Sequence, residues 1–144
     1  MTALGGTAPL HLLDTNIISD LMRHPAGKVA DRIRALAAER PDGEVCTSMV
    51  VDGELRFGLA RKASPRLNEA YARTMSMIDV RDLPASAAQL YADVRTHLEQ
   101  RGTPIGPNDM LIAAHALALD ATLITDNEDE FRRVPHLKID NWLR

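Results

Sequence analysis

The sequence predicts an α/β protein in which a central, mainly parallel sheet is covered by helices on both faces. Two observations carry this. Short apolar runs alternate along the chain with segments of helical period, and the runs are apolar throughout rather than apolar at every second residue. A strand that is apolar on both sides is buried on both sides, which parallel sheets with helical crossovers require. At 144 residues the chain fits one domain, 1–144, with 1–9 as a Gly/Ala/Thr/Pro lead-in.

The elements follow in order. Leu10 to Leu13 reads as a buried strand ending at Asp14, and Thr15 and Asn16 are suited to cap a helix over Ile17 to Arg23 that His24-Pro25 closes. Val29 to Arg40 is helical, with Val29, Ile33, Leu36 and Ala37 on one face and Arg and Glu opposite. Pro41-Asp42-Gly43 turns into a strand over Val45 to Val50. Helices are expected over Val51 to Lys62 and Pro65 to Ile78, then a short strand over Val80 to Leu83. Leu90, Tyr91, Val94 and Leu98 recur at helical spacing within Ala85 to Gln100, and Arg101-Gly102 stops that helix. A loop over Thr103 to Asn108 leads to an Ala-rich buried helix, Asp109 to Leu119. Then come a strand (Thr122 to Thr125), a short helix (Glu128 to Arg133) and a last strand (Leu137 to Ile139).

Composition removes several function classes. The net charge of −3 argues against a DNA-coating protein, because non-specific phosphate binding draws on many Lys and Arg. Aromatics are 3% of the chain, too few for a base-stacking platform. The single cysteine, Cys46, lies in a β-rich run and reads as a small core residue; it cannot form an internal disulfide. Met1 to Pro9 lacks the features of a signal peptide and no apolar run reaches spanning length, so a cytoplasmic protein without a membrane is expected. His11, His24, His97, His115 and His136 offer no pair at short spacing, which argues against structural zinc. His115, on the apolar helix, reads as a satisfied core or interface residue, and Met75 and Met77 as apolar packing.

In a parallel sheet the functional crevice lies outside the carboxyl ends of the strands. Acids stand there. Asp14 follows the first strand and Asp126 follows Thr122 to Thr125. Asp109 opens the buried helix, and Glu54 sits in the first turn of the helix after the second strand. Crowded carboxylates hold Mg²⁺ or Mn²⁺, hard ions that prefer oxygen ligands. Such an ion activates water and offsets charge on a phosphodiester. Taken singly, each acid but one also has an ordinary structural reading: Asp14 as a helix cap, Asp109 as a first-turn acid, Asp126 with Asn127 as a turn. Glu54 is the exception, since it lies among Val50, Val51, Leu55 and Leu59, where an unpaired acid is costly.

These segments resemble the motifs of PIN-domain nucleases, in particular the VapC toxins of VapBC toxin–antitoxin pairs. Leu12-Leu13-Asp14-Thr15-Asn16-Ile17-Ile18-Ser19 is similar to the first motif, and Ser48 to Gly58 around Glu54 to the second. Ile105-Gly106-Pro107-Asn108-Asp109 with Ile112 to Ala116 is similar to the third, and Leu123-Ile124-Thr125-Asp126-Asn127 with Glu130-Phe131 to the fourth. Four motifs in order cover the chain from about Leu10 to the C-terminus. The resemblance implies a three-layer α/β/α sandwich and Mg²⁺- or Mn²⁺-dependent endoribonuclease activity on RNA. It also implies a homodimer and a cognate VapB-type antitoxin. It makes Asp14 and Asp109 metal ligands, Glu54 a ligand of the metal or its water, and Thr15 and Thr125 supporting hydroxyls. The sequence departs at the fourth acid. Many members place an Asp two residues after the Thr, where Asn127 stands here. Asp126 is therefore taken as the fourth catalytic acid, with Asn16 and Asn127 as polar support.

The alternative is a PIN-like module that binds RNA or a partner without cleaving; the missing acid at position 127 favours it, and Asp14, Glu54 and Asp109 together oppose it. Arg23, Lys28, Arg56, Arg61, Lys62, Arg66 and Arg73 make the front half locally basic, on solvated helix faces or against substrate phosphates.

Overall fold

The computed structural model describes residues 8–144. Five strands form one all-parallel sheet: β1 (Leu10–Leu13), β2 (Glu44–Ser48), β3 (Asp79–Arg81), β4 (Thr122–Ile124) and β5 (Lys138–Asp140), in the order β3-β2-β1-β4-β5. The helices are α1 (Thr15–Arg23), α2 (Lys28–Glu39), α3 (Met49–Lys62), α4 (Pro65–Met75), α5 (Ala87–Gln100), α6 (Pro107–Ala118) and α7 (Glu128–Phe131). This is the three-layer α/β/α arrangement that the apolar strands predict.

The chain steps from β1 to β2 to β3 in one direction, then crosses back to β4 and on to β5. With right-handed crossovers, α1 to α4 cover one face and α5 to α7 the other. The direction reverses between β1 and β4, and a crevice opens where connections diverge at such a switch point. Leu12, Leu13, Cys46, Leu123 and Ile124 are fully buried along the central strands, against Ile17, Ile18, Val51, Ile112 and Ala113 from the helices.

Several element ends differ from expectation, each because a side chain binds a backbone N–H. Asp14, rather than Thr15 or Asn16, caps α1 and accepts from the Thr15 N–H at 2.8 Å. The Ser48 hydroxyl accepts from the Val50 N–H at 3.0 Å, so α3 begins at Met49 and Glu54 falls in its second turn. Pro107 starts α6 two residues early, making Asp109 its third residue. Ser64 caps α4 through the Leu67 N–H. Met75 packs against the core as expected, whereas Met77, beyond the end of α4, is 72% exposed. Cys46 is fully buried, and burial pushes its thiol up to about 11. His115 is buried within α6, its Nδ1 2.7 Å from the Ser48 hydroxyl. Among the described residues no helix is long and apolar enough to cross a membrane.

Candidate active site at the carboxyl edge of the sheet

The site forms where β1 and β4 end. Backbone pairing continues one residue past β1, because the Asp14 N–H donates to the Ile124 carbonyl at 2.9 Å. That sets Asp14 beside Thr125, whose hydroxyl donates to Asp14 Oδ2 at 2.8 Å. The Asn16 amide adds a longer contact to the same oxygen at 3.4 Å. Asp14 is only 4% exposed, and burial, with the charges of Glu54 and Glu130, raises its carboxyl against the opposing donors Thr125 and Thr15.

Glu54 reaches the same edge from α3. The Thr15 hydroxyl donates to Glu54 Oε1 at 2.6 Å and the Asn108 amide to Oε2 at 3.3 Å. Thr15 thus links the Asp14 cap, through its N–H, to Glu54, through its hydroxyl. Asp109 enters from the first turn of α6. Burial raises it most, followed by Asp14, then Glu130 and Glu54, and it reaches about 7. Its position at a helix N-terminus favours the ionised form, but three neighbouring acids and burial outweigh that.

The structure places Asp126, the expected fourth acid, apart from the other three. Asp126 is exposed, and its Oδ1 accepts from the Asn141 amide at 3.0 Å; its N–H binds Asn16 Oδ1. Neither contact brings its carboxylate to Asp14 or Asp109. Glu130, on α7, does come in. It accepts from the Gly106 N–H at 3.1 Å and from the Asn127 amide, and its proximity to Asp109 is among the causes that raise that carboxyl. Asn127 in turn is fixed by its N–H to the Thr125 hydroxyl at 3.0 Å. Asn127 therefore holds an acid in place of being one. Sequence reading assigned no role to Glu130 or Asn108, although Glu130 stood within the fourth motif.

Four carboxylates thus meet with hydroxyl, amide and backbone donors around them. Among the described residues no Lys, Arg or His forms an ion pair with Asp14, Glu54, Asp109 or Glu130. A partly buried cluster of like charge with no ion-paired partner suits a divalent cation. Among the described residues no three His, Cys, Asp or Glu side chains stand as a ready ligand cage. Mg²⁺ does not need one, because it keeps several waters and takes one or two carboxylates. The residues therefore fit a partly hydrated hard cation by charge and donor type.

A parallel sheet with reversing connections, and acids from four segments at its switch point, defines the PIN class of domain, and residues 11–137 match the PIN domain family. Ribonuclease VapC2 of Rickettsia felis is 35% identical over 135 residues, covering 92% of this chain and 98% of the relative. The tRNA(fMet)-specific endonuclease VapC of Shigella flexneri is 33% identical, covering 91% and 96%. The structure of VapBC2 from Rickettsia felis bound to a promoter DNA fragment superposes with a TM-score of 0.84 at 32% identity, over 92% of this chain and 98% of that one. VapBC-1 from nontypeable Haemophilus influenzae gives 0.80 at 30% identity, over 94% and 99%. The chain belongs to the PIN-domain family, in its VapC branch.

Proposed function

We propose that this protein is a divalent-metal-dependent endoribonuclease toxin held inactive by a VapB-type antitoxin. One observation carries the metal-dependent nuclease reading: four segments bring Asp14, Glu54, Asp109 and Glu130 to the edge where β1 and β4 end, close enough that the other three all raise the Asp109 carboxyl. A fold that gathers uncompensated acids at its functional crevice has a use for a cation there. RNA as substrate and VapB as partner rest on the relatives named as VapC ribonucleases and solved as VapBC complexes.

Asp14 and Asp109 would hold Mg²⁺ or Mn²⁺, with Glu54 and Glu130 binding its waters. When bound, the ion supplies a water of lowered pKa and offsets charge on the phosphoryl oxygens. The oxygen of water bonds to phosphorus and the P–O3′ bond breaks, leaving a 5′-phosphate and a 3′-hydroxyl. The chain's own side chains orient and hold protons. Thr125 and the Thr15 N–H fix the Asp14 carboxylate, and the Thr15 hydroxyl and Asn108 fix Glu54. Glu130 is set beside Asp109 by the Gly106 N–H and the Asn127 amide. The binding-module alternative leaned on the acid missing at position 127, and Glu130 supplies a fourth carboxylate from elsewhere.

The test is incubation of antitoxin-free protein with end-labelled RNA, with and without Mg²⁺ or Mn²⁺, beside Asp109→Asn. Discrete metal-dependent fragments absent from the variant support the proposal. Equal cleavage by Asp109→Asn, or none by folded wild-type protein across RNA pools, overturns it.

A further inference from the structure

The groove beside the acidic edge carries charge of the opposite sign. It is a recess of about 800 Å³ between α1, α3 and α4. Thr15 and Glu54 are among its lining residues, so it adjoins the acidic centre. Leu55 and Leu59 give it aliphatic surface, and Arg23, Lys62, Arg66 and Arg73 line it as well. Only two acids, Glu54 and Glu69, share that lining, in a chain whose net charge is −3. Arg23 lies 3.9 Å from Asp20. Lys62, Arg66 and Arg73 are exposed and have no acid within ion-pairing distance among the described residues. Of the seven basic residues singled out in the sequence, the fold gathers these four.

We propose that this groove carries the RNA strand on one side of the scissile phosphodiester, with backbone phosphates against Lys62, Arg66 and Arg73. The proposal rests on the nuclease reading above. An endonuclease must hold a strand that continues past the bond it cuts, and this recess adjoins that bond with an excess of cations. Arg66 and Arg73 are seven residues apart on α4, about 10.5 Å along its axis, so they meet different phosphates of an extended strand. Leu55 and Leu59 offer aliphatic surface for sugar and base faces rather than an aromatic platform. Contacts of this kind set the register and carry little sequence information, so the groove contributes affinity rather than choice of target.

The experiment compares Lys62→Ala/Arg66→Ala/Arg73→Ala with the parent, both carrying Asp109→Asn, by fluorescence anisotropy of a labelled single-stranded RNA 12-mer between 50 and 200 mM salt. Losing three phosphate contacts lowers the slope of log affinity against log salt by about 2 and weakens binding about 50-fold at 0.15 M salt. Arg34→Ala/Arg40→Ala/Arg101→Ala, with the same loss of charge on α2, just past its end and just past α5, leaves both unchanged. In enzyme with Asp109 intact, the groove variant raises KM and leaves kcat unaltered, the mark of binding shared by ground and transition states. Equal urea midpoints for the two triple variants show that folding is not the cause. RNA affinity and salt slope equal to the parent's would overturn the proposal and assign the groove to an acidic protein segment. Cleavage that survives Asp109→Asn would instead remove the nuclease-site reading, while the binding comparison still decides the groove.

Discussion

Thr125 donates its hydroxyl hydrogen to Asp14 Oδ2 at 2.8 Å, joining the ends of two neighbouring strands that lie 111 residues apart in sequence. Thr125 is fully buried and Asp14 nearly so. The hydroxyl is one of two donors that oppose the upward push of burial and of Glu54 and Glu130 on Asp14. Thr125→Val keeps the shape and removes the donor. We expect a loss of about 1–3 kcal/mol at neutral pH, the cost of an undersatisfied buried polar group, read from urea unfolding. Cleavage falls with it, because the Asp14 carboxylate loses a fixed orientation. A variant as stable as wild type would show that another donor takes over.

Asp109 makes the protein without metal sensitive to pH in a definite direction. Its folded carboxyl lies near 7 against a reference of 3.8, because of burial first and of Asp14, Glu130 and Glu54 after it. Between those values the folded state keeps a proton that the unfolded chain has lost, so ν_U is smaller than ν_N and stability falls as pH rises. The contribution is fully present below about 4 and gone above about 7. Asp109→Asn carries no such charge, and its urea midpoint should decline less over that window. Asp14 is shifted in the same direction and keeps part of the slope. Parallel pH profiles for variant and wild type would contradict this account.

A bound cation should reverse that slope. Millimolar Mg²⁺ or Mn²⁺ raises the thermal midpoint of wild-type protein most at pH 7.5 to 8, where the acids are ionised, and little at pH 5. Ca²⁺, with the same charge but no need for octahedral geometry, supports part of the stabilisation. A midpoint indifferent to all three ions at every pH would contradict the charge argument.

Much of this was legible in the sequence. Apolar strands separated by helical segments were enough to predict the sheet, and three of the four acids stood where strands end or helices begin. Asp126 follows β4 directly, yet its side chain faces away from the other acids. Side chains alternate along an extended chain: once Thr125 turns toward Asp14, Asp126 points the other way, to Asn141. Glu130 was hidden in the run Glu128-Asp129-Glu130. Only the folded turn of α7 separates the three. Glu128 bonds Asn141 and Arg144, Asp129 lies 95% exposed, and Glu130 reaches the Gly106 N–H. Nothing local to the run distinguishes them, since the selecting partners come from distant segments.

The assignment of the fourth acid has its own test. Glu130→Gln preserves the shape and its acceptor for the Gly106 N–H but removes the charge. If Glu130 orients the waters or proton of the centre, cleavage drops about 10–100-fold, the usual cost of losing a partner just outside the metal. Asp126→Asn keeps an oxygen acceptor for the Asn141 amide on an exposed side chain and should leave kcat/KM within about twofold and stability within about 0.5 kcal/mol. The reverse ranking, with Asp126→Asn the damaging change, would return Asp126 to the site.

Ser48 couples two of the segments that supply acids. Its hydroxyl accepts from the Val50 N–H at the start of α3, which carries Glu54, and lies 2.7 Å from Nδ1 of His115 on α6, which carries Asp109. Both Ser48 and His115 are fully buried, and among the described residues His115 Nε2 has no hydrogen-bond partner. Ser48→Ala removes the helix cap, at a cost of about 1 kcal/mol, and leaves a second ring nitrogen of His115 without a partner, at about 1–3 kcal/mol more. Ser48→Thr keeps the hydroxyl and should recover most of the loss. Burial lowers the His115 pKa, so the neutral ring persists below the usual histidine range. Its contribution to stability stays constant above that range and is lost in acid, where the unfolded chain takes up the proton more readily. Urea unfolding of Ser48→Ala, Ser48→Thr and wild type at pH 7 measures the cap and the histidine contact together. His115→Phe in the wild-type and Ser48→Ala backgrounds separates them, because a coupling energy of at least about 0.5 kcal/mol is expected for two side chains in direct contact.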